Sequence, residues 1–328
     1  MIGQPRIPPT PAGTSMAGQT VIITGGNTGI GFEIARQYLT LKASRIIITV
    51  RSESKGRDAI AALRADYAVK AANPSAIIEA FILDLEDYQS ALRFVQKVKK
   101  EVPELNVLLC NAGMNIVKYE ESKSGHEMVI QVNCYTHFFI ILELLPLLRT
   151  TSLKQATPSR LTIVGSTMQT LHTLSNHPFN PPDTILSHFD DRKAYNMKRY
   201  ADAKLTDNAF IRKLATTVSV NEVIVNNVCP GMVATEFDKG LPVYLRLSMS
   251  LIRAVRARSV EQGVWALVYA TAVAGPESHG KFLNHNKVDI GAPFLDEKLG
   301  KEFIDKLWTE IVEEAKTIDP GLEIVVEA

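Results

Sequence analysis

Tyr200 and Lys204 stand four residues apart in Tyr-Ala-Asp-Ala-Lys, a spacing that places both on one face of a helix. An ammonium beside a phenol stabilises the phenolate and would lower a tyrosine pKa from about 10 toward neutrality. Tyr200 then becomes a usable proton donor and acceptor. Ser166 closes the run Ile163-Val164-Gly165-Ser166. A hydroxyl at the end of a buried strand can hydrogen-bond a substrate carbonyl oxygen. Tyr and Lys at this spacing are also common on solvated helix faces, so the pair takes its meaning from what surrounds it. Tyr195, with Arg199 four residues on, repeats the spacing without the lysine.

A second group of residues could hold a phosphate. The apolar run Val21–Thr24 leads into Gly25-Gly26-Asn27-Thr28-Gly29-Ile30-Gly31 and then into helical spacing. Gly25 permits a tight turn, Gly29 lets the backbone approach a pyrophosphate, and Gly31 lets helix and strand pack closely. The free N–H groups of the helix start (Asn27, Thr28 and Ile30 lie among them) and its positive dipole end would face the phosphates. The next strand ends in Thr49-Val50-Arg51-Ser52-Glu53-Ser54-Lys55. An acidic side chain is expected there when a ribose 2′-hydroxyl is bound, and Val50 takes that place. Arg51 can pair bidentately with a 2′-phosphate, with Lys55 as a second charge. The pattern favours NADP(H) over NAD(H).

These groups need a frame. Val21–Thr24, Arg45–Val50, Ile77–Leu83, Val107–Cys110, Leu161–Val164 and Ile224–Val228 are short apolar runs, mostly β-branched. Such runs suit strands buried on both faces of a parallel sheet. Helical spacing lies between them, as in Ile30, Ile34, Tyr38 and Leu41. The alternation predicts one doubly wound α/β domain with right-handed crossovers. Lys281–Leu283 could add a last strand, and Lys298–Thr317 a final amphipathic helix.

The rest of the composition sets bounds. The chain has 328 residues, 36 Lys plus Arg and 35 Asp plus Glu, for a net charge of +1, so no global field would hold it on nucleic acid or an anionic membrane. Cys110, Cys134 and Cys229 are far apart in apolar runs and read as buried free thiols of a reducing compartment. The longest apolar stretch, His137 to Leu148, is interrupted by Glu143 and Pro146. It falls short of the roughly 18 uninterrupted residues of a membrane helix. Residues 1–18, rich in Pro, Gly, Ser and Thr, read as a flexible arm before a domain over 19–328. The expectation is a cytoplasmic protein without stable membrane insertion, nucleic-acid partner or metal.

Taken together, Thr24-Gly-x-x-x-Gly-Ile-Gly31, Asn111-Ala112-Gly113, Asn133, Ser166, Tyr200-x-x-x-Lys204 and Pro230-Gly231 closely resemble the classical short-chain dehydrogenase/reductases, in order and in position. Arg51, Lys55-Gly56, Gly280-Lys-Phe and Leu307-Trp308 resemble the retinol-dehydrogenase-like branch, which includes fungal and plant carbonyl reductases. The resemblance implies a single-domain Rossmann fold, a mainly parallel sheet with helices on both faces. It implies an NADPH-dependent reductase/dehydrogenase acting on a small carbonyl or alcohol. By the resemblance, Asp84 and Leu85 border the adenine, and Asn111, Ala112 and Gly113 line the cofactor. Asn133 holds a water that links Lys204 to solvent, while Lys204 holds the ribose hydroxyls. Pro230, Gly231, Val233 and Thr235 hold the nicotinamide carboxamide and the phosphates.

Two segments depart from the pattern or carry no readable code. Ser166 and Tyr200 are 34 positions apart, a wider gap than the resemblance implies, which makes 168–199 an insertion. It carries His172, His177 and His188 without metal-ligand spacing. It could shape the pocket or block a helix–helix dimer contact; a homo-oligomer stays open. Residues 232–260, where the family places its substrate lid, contain Leu241, Tyr244, Leu245, Leu247, Met249, Leu251 and Ile252 with Arg246, Arg253, Arg256 and Arg258. An apolar lid suggests an apolar or aromatic ketone, with secondary metabolism as one setting; the rival reading is a membrane-surface helix. A non-redox isomerase or cyclase on the same scaffold, and a retinol-type alcohol dehydrogenase, are the alternatives.

Overall fold

The computed structural model describes residues 4–179, 183–235, 237 and 241–323. Pro181, Pro182, Gly240 and the side chains of Leu245, Leu247, Met249 and Leu251 therefore lie outside the described residues. Eight strands form one sheet: β1 (Thr20–Ile23), β2 (Arg45–Val50), β3 (Ile77–Ile82), β4 (Val107–Cys110), β5 (Ser159–Val164), β6 (Val223–Cys229), β7 (Lys281–Asn284) and β8 (Lys287–Asp289). Their spatial order is β3-β2-β1-β4-β5-β6-β7-β8. All neighbours are parallel except β7 and β8. In register, Val21 lies between Ile46 and Val107. Every residue of β4 and β6 is buried, as expected of strands covered on both faces.

The helices divide between the two faces. On one side α1 (Gly29–Thr40), α2 (Glu53–Ala65), α3 (Tyr67–Ala72) and α10 (Val260–Val268) bury Ile34, Tyr38, Leu63, Val69 and Leu267 against the sheet. On the other, α4 (Tyr88–Glu101), α5 (Met128–Ile130), α6 (Thr136–Gln155), α7 (Ile185–Asp190), α8 (Arg199–Leu214) and α11 (Lys298–Ile318) enclose a larger apolar cluster. The remaining helix, α9 (Val243–Arg256), exposes Val243, Tyr244, Ile252 and Val255. The order reverses between β1 and β4, so the crevice at the carboxyl ends of these strands is the topological switch point.

The sequence expectation of seven strands holds, with β5 starting at Ser159 rather than Leu161. The unforeseen β8 is added by a two-residue hairpin, His285-Asn286, with φ of 54° and 59°, the left-handed geometry that tight hairpins use. Met128–Gln155 is long and apolar enough to cross a membrane, yet its apolar window is wholly buried against the sheet. Phe138 of α6 stacks on Phe210 of α8, centroids 3.9 Å apart and planes at 6°. That contact locks α6, which follows the turn holding Asn133, to α8, which carries Tyr200 near its start.

Two expectations need correction. Residues 1–18 read as a flexible arm, but from Gln4 onward the arm is tied down. Ile7 and Met16 are buried, Met16 N–H bonds the Leu41 carbonyl (2.7 Å), and Arg258 Nη2 bonds the Pro5 carbonyl (2.6 Å). Two apolar anchors among the Pro and Gly residues suffice to hold it. The 168–199 insertion reads as a loop, but it contains a 3₁₀ turn (Thr167–Leu171) and α7. Thr184 and Ser187 form a reciprocal capping box at the start of α7. The segment packs on α11 through Phe179 and Phe189 against Phe303, and Glu310 accepts the Ile185 and Leu186 N–H groups at 2.9 and 3.0 Å.

Candidate active site

The glycine turn joins β1 to α1 at the carboxyl edge. Gly25 has φ of +67°, and a Cβ there would stand 2.9 Å from that of Ala112. A Cβ on Gly31 would meet the Gly25 carbonyl oxygen at 2.2 Å. Gly29, exposed with φ of +57°, faces the Thr235 methyl, 3.6 Å from where its Cβ would be. Thr28 precedes α1 without taking any first-turn N–H on its side chain. Asn27 and Ile30 are half-buried beside it. A narrow backbone cradle with free N–H groups fits a pyrophosphate.

Thr24 ties this turn to its neighbour. Its Oγ1 accepts the Asn111 and Ala112 N–H groups at 2.9 and 3.0 Å, and it lies 3.0 Å from His137 Nε2. His137 Nδ1 lies 3.1 Å from the Asn133 carbonyl oxygen. A carbonyl only accepts, so Nδ1 carries the proton and Nε2 accepts from Thr24. Burial lowers the His137 pKa to about 4, which keeps the ring neutral in this relay. Asn111 Nδ2 returns to the Thr24 carbonyl at 2.9 Å. Gly113 is backed by Asn133 Oδ1, 2.5 Å from where a Cβ would lie.

Asn133 sits in a π turn, Gln131–Tyr135, between α5 and α6; such bulges recur at functional sites. Its Nδ2 donates to the Met114 and Val129 carbonyls at 2.9 and 2.7 Å, and its Oδ1 accepts the Met114 N–H at 3.2 Å. The side chain is thus occupied in holding the Gly113 turn.

Ser166 follows β5 by two residues and caps the 3₁₀ turn, its Oγ accepting Met168 N–H at 3.1 Å. Despite the insertion, its side chain is near enough to Tyr200 to favour the ionised phenol. Lys204 Nζ lies 5.6 Å from the Tyr200 ring centroid and donates to the Val164 carbonyl and to Asp207 Oδ2, each at 2.8 Å. The structure corrects the expected tyrosine acidity. Burial raises the Tyr200 pKa above its ordinary value; Lys204 and Ser166 oppose the rise, and Cys229 and Asp207 add to it. Desolvation outweighs a cation whose own field is partly answered by Asp207. Burial would lower the Lys204 pKa, but Asp207 overcomes it and the net direction is up.

The other expected residues fall around the same edge. Pro230 and Gly231 end β6; Arg258 Nη1 donates to the Pro230 carbonyl at 2.9 Å, and Gly231 has φ of +79°. Val233 is buried and bridges Arg258, while Thr235 faces Gly29. Arg51 is exposed at the end of β2, its Nη1 3.7 Å from Glu86 Oε1, and Lys55 is exposed in the first turns of α2. Asp84 pairs with Lys123, and the buried Leu85 offers its carbonyl to Thr136. Tyr195 points elsewhere, its hydroxyl donating to the Ile116 carbonyl at 3.0 Å. His172 packs on Phe294 and His188 on Phe189. Among the described residues no group of three or more His, Cys, Asp or Glu could hold a metal.

Sequence reasoning missed three participants. Asp207 lies three residues beyond Lys204, a spacing that solvated helix faces share. Phe237 lies 5.4 Å from the Tyr200 ring and approaches Gly113. Gln4 reaches the segment after β6: its Nε2 donates to the Met232 and Arg256 carbonyls, and its Oε1 accepts Met232 N–H, all at 2.8 Å. Nothing in a Gln so near the N-terminus signals that role.

The chain is similar to several known proteins. A family model described as short chain dehydrogenase matches residues 19–168. Short chain dehydrogenase sor7 of Hypocrea jecorina is 53% identical over 290 residues, 88% of this chain and 81% of that protein. Short chain dehydrogenase macD of Penicillium terrestre is 38% identical, with 96% of each chain covered. Among solved structures, the Pseudomonas aeruginosa RhlG/NADP complex is similar with a TM-score of 0.60 and 25% identity, covering 82% of this chain and 95% of that one. An uncharacterised Mycobacterium paratuberculosis protein has a TM-score of 0.66 at 22% identity, covering 94% and 97%. The chain belongs to the short-chain dehydrogenase/reductase family of oxidoreductases, among its fungal members.

Proposed function

We propose that the protein is an NADPH-dependent carbonyl reductase that interconverts an apolar or aromatic ketone and its alcohol. The observation that carries this reading is Lys204, which bonds the Val164 carbonyl two residues before Ser166 and lies 5.6 Å from the Tyr200 ring. When bound, the nicotinamide ring supplies the hydride for the carbonyl carbon or takes it up from the alcohol. Ser166 and Tyr200 hydrogen-bond the carbonyl oxygen, and Tyr200 donates its hydroxyl proton to that oxygen as charge develops there. Lys204 holds the ribose hydroxyls with the donor hydrogen not committed to Val164 and Asp207. A water on the Asn133 carbonyl returns the proton to Tyr200. The Gly25–Gly31 turn and the start of α1 hold the pyrophosphate, with Thr235 across from Gly29. Pro230, Gly231 and Val233 hold the carboxamide end.

Support for NADP(H) comes from Arg51 and Lys55, exposed cations where β2 passes to α2, with no carboxylate at Val50. The relative RhlG was solved as an NADP complex. Support for an apolar substrate comes from Phe237 over Tyr200 and from the apolar residues of the 232–260 lid. Three buried free thiols fit a reducing, cytoplasmic setting. Following NADPH absorbance with a panel of aromatic and aliphatic ketones tests the reading. Ketone-dependent oxidation of NADPH is expected; product formed without cofactor consumption would favour an isomerase or cyclase instead.

A further inference from the structure

Asp207 is fully buried next to Lys204, and the hydride-transfer reading has no use for it. We propose that Asp207 is a positioning residue: its carboxylate holds Lys204 against the end of β5 and offsets part of the ammonium's charge beside Tyr200. The proposal rests on the reductase reading above.

The geometry is that of one stripe on α8. Tyr200, Lys204 and Asp207 recur at four and then three residues, on one face. Lys204 bridges Asp207 Oδ2 on its own helix and the Val164 carbonyl on β5, both at 2.8 Å. The ammonium is thereby fixed between the strand that leads to Ser166 and the helix that carries Tyr200 near its start. A buried carboxylate is stable only with a counter-charge, and Lys204 is the cation that Asp207 faces. The other titratable groups around the cluster are near neutral. Cys229 on β6, Cys110 on β4 and Cys134 in the π turn are thiols that burial holds in the protonated form. His137 on α6 is neutral. Glu127, just before α5, acts on Cys134 and faces Arg199. Lys204 and Asp207 are therefore the charges that bear most directly on the Tyr200 hydroxyl, and they oppose one another.

Asp207→Asn removes the charge while keeping an oxygen that can accept from Lys204. Reduction requires the Tyr200 phenol and falls at alkaline pH; oxidation requires the phenolate and rises there. With the ammonium no longer offset, both limbs of kcat/KM are expected to move to lower pH by about one unit, the size of effect that one nearby charge exerts at an effective dielectric near 20. A purely structural role would change the height of the profiles and leave their position. Profiles that coincide in position with the wild type would overturn the proposal. Tyr200→Phe, assayed alongside, separates the two readings: retained turnover overturns the acid/base assignment and this inference with it. Loss of turnover together with unmoved Asp207→Asn limbs overturns the inference alone. Should Asp207→Asn fail to fold, Asp207→Ser is assayed in the same way: limbs displaced to lower pH are expected, and limbs that coincide with the wild type overturn the proposal.

Discussion

Arg51 illustrates how a single side chain can select a cofactor. It follows the buried Val50 at the end of β2, is exposed, and makes a long pairing with Glu86. A guanidinium so placed is free to turn toward a 2′-phosphate. Arg51→Glu is expected to raise the KM for NADPH at least tenfold, since a favourable charge pair becomes a repulsive one, and to change the KM for NADH by less than about twofold. Equal changes, measured by initial rates with each cofactor, would remove the 2′-phosphate role. At this scale the sequence was legible where residue type alone implies chemistry. Tyr200, Lys204, Ser166 and the glycines fell where their spacing placed them. Asp207 was not legible, because a carboxylate three residues from a lysine reads like any solvated helix face. The acidity of Tyr200 was misread for the same reason: the cation was visible, but the burial and the opposing carboxylate were not.

At the scale of elements, the notable device is the clasp made by the N-terminal arm. Gln4 bonds both Met232 and Arg256, so one amide joins the two ends of the segment that carries α9. Arg258 reinforces the joint through Pro5, Pro230 and His285. If this segment is the substrate lid, loosening its ends alters substrate capture more than chemistry. Gln4→Ala is expected to raise the KM for the ketone several-fold, with kcat and the KM for NADPH changed by less than about twofold. The melting free energy should fall by about 1–3 kcal/mol for three hydrogen bonds. An unchanged ketone KM in steady-state assays would contradict the clasp. The arm's composition concealed it, since Pro, Gly, Ser and Thr describe a chain without regular structure, not one without contacts. The insertion was misjudged similarly. α7 is short, and its order comes from Phe303 and Glu310 far along the chain.

Across the whole molecule, His126 joins three distant parts. Its Nδ1 lies 2.8 Å from Asp190 at the end of α7, and its Nε2 lies 3.1 Å from Glu314 on α11. Burial opposes its protonation, but the two carboxylates prevail and its pKa is raised from 6.5 to about 9. A base whose folded pKa exceeds its unfolded value stabilises the fold fully below the unfolded pKa and loses that contribution as pH rises through the folded one. The wild type should therefore lose up to about 3 kcal/mol between pH 6.5 and 9. His126→Gln should lack that loss, as read by chemical denaturation at several pH values. Parallel stability curves for the two proteins would contradict the assignment. The sheet, by contrast, was legible almost throughout. Buried parallel strands leave continuous apolar runs, and their order follows from the right-handed crossover. What escaped were contacts between segments far apart in sequence, which no local pattern records.

The most direct test of the account follows the hydride and the proton together. Reduction of a ketone substrate with NADPH deuterated at the transferred position should place one deuterium on the carbinol carbon. Tyr200→Phe should lower that turnover by about 10²–10⁴-fold, the range expected for loss of a general acid. An unlabelled product, or undiminished label transfer by Tyr200→Phe, would contradict it.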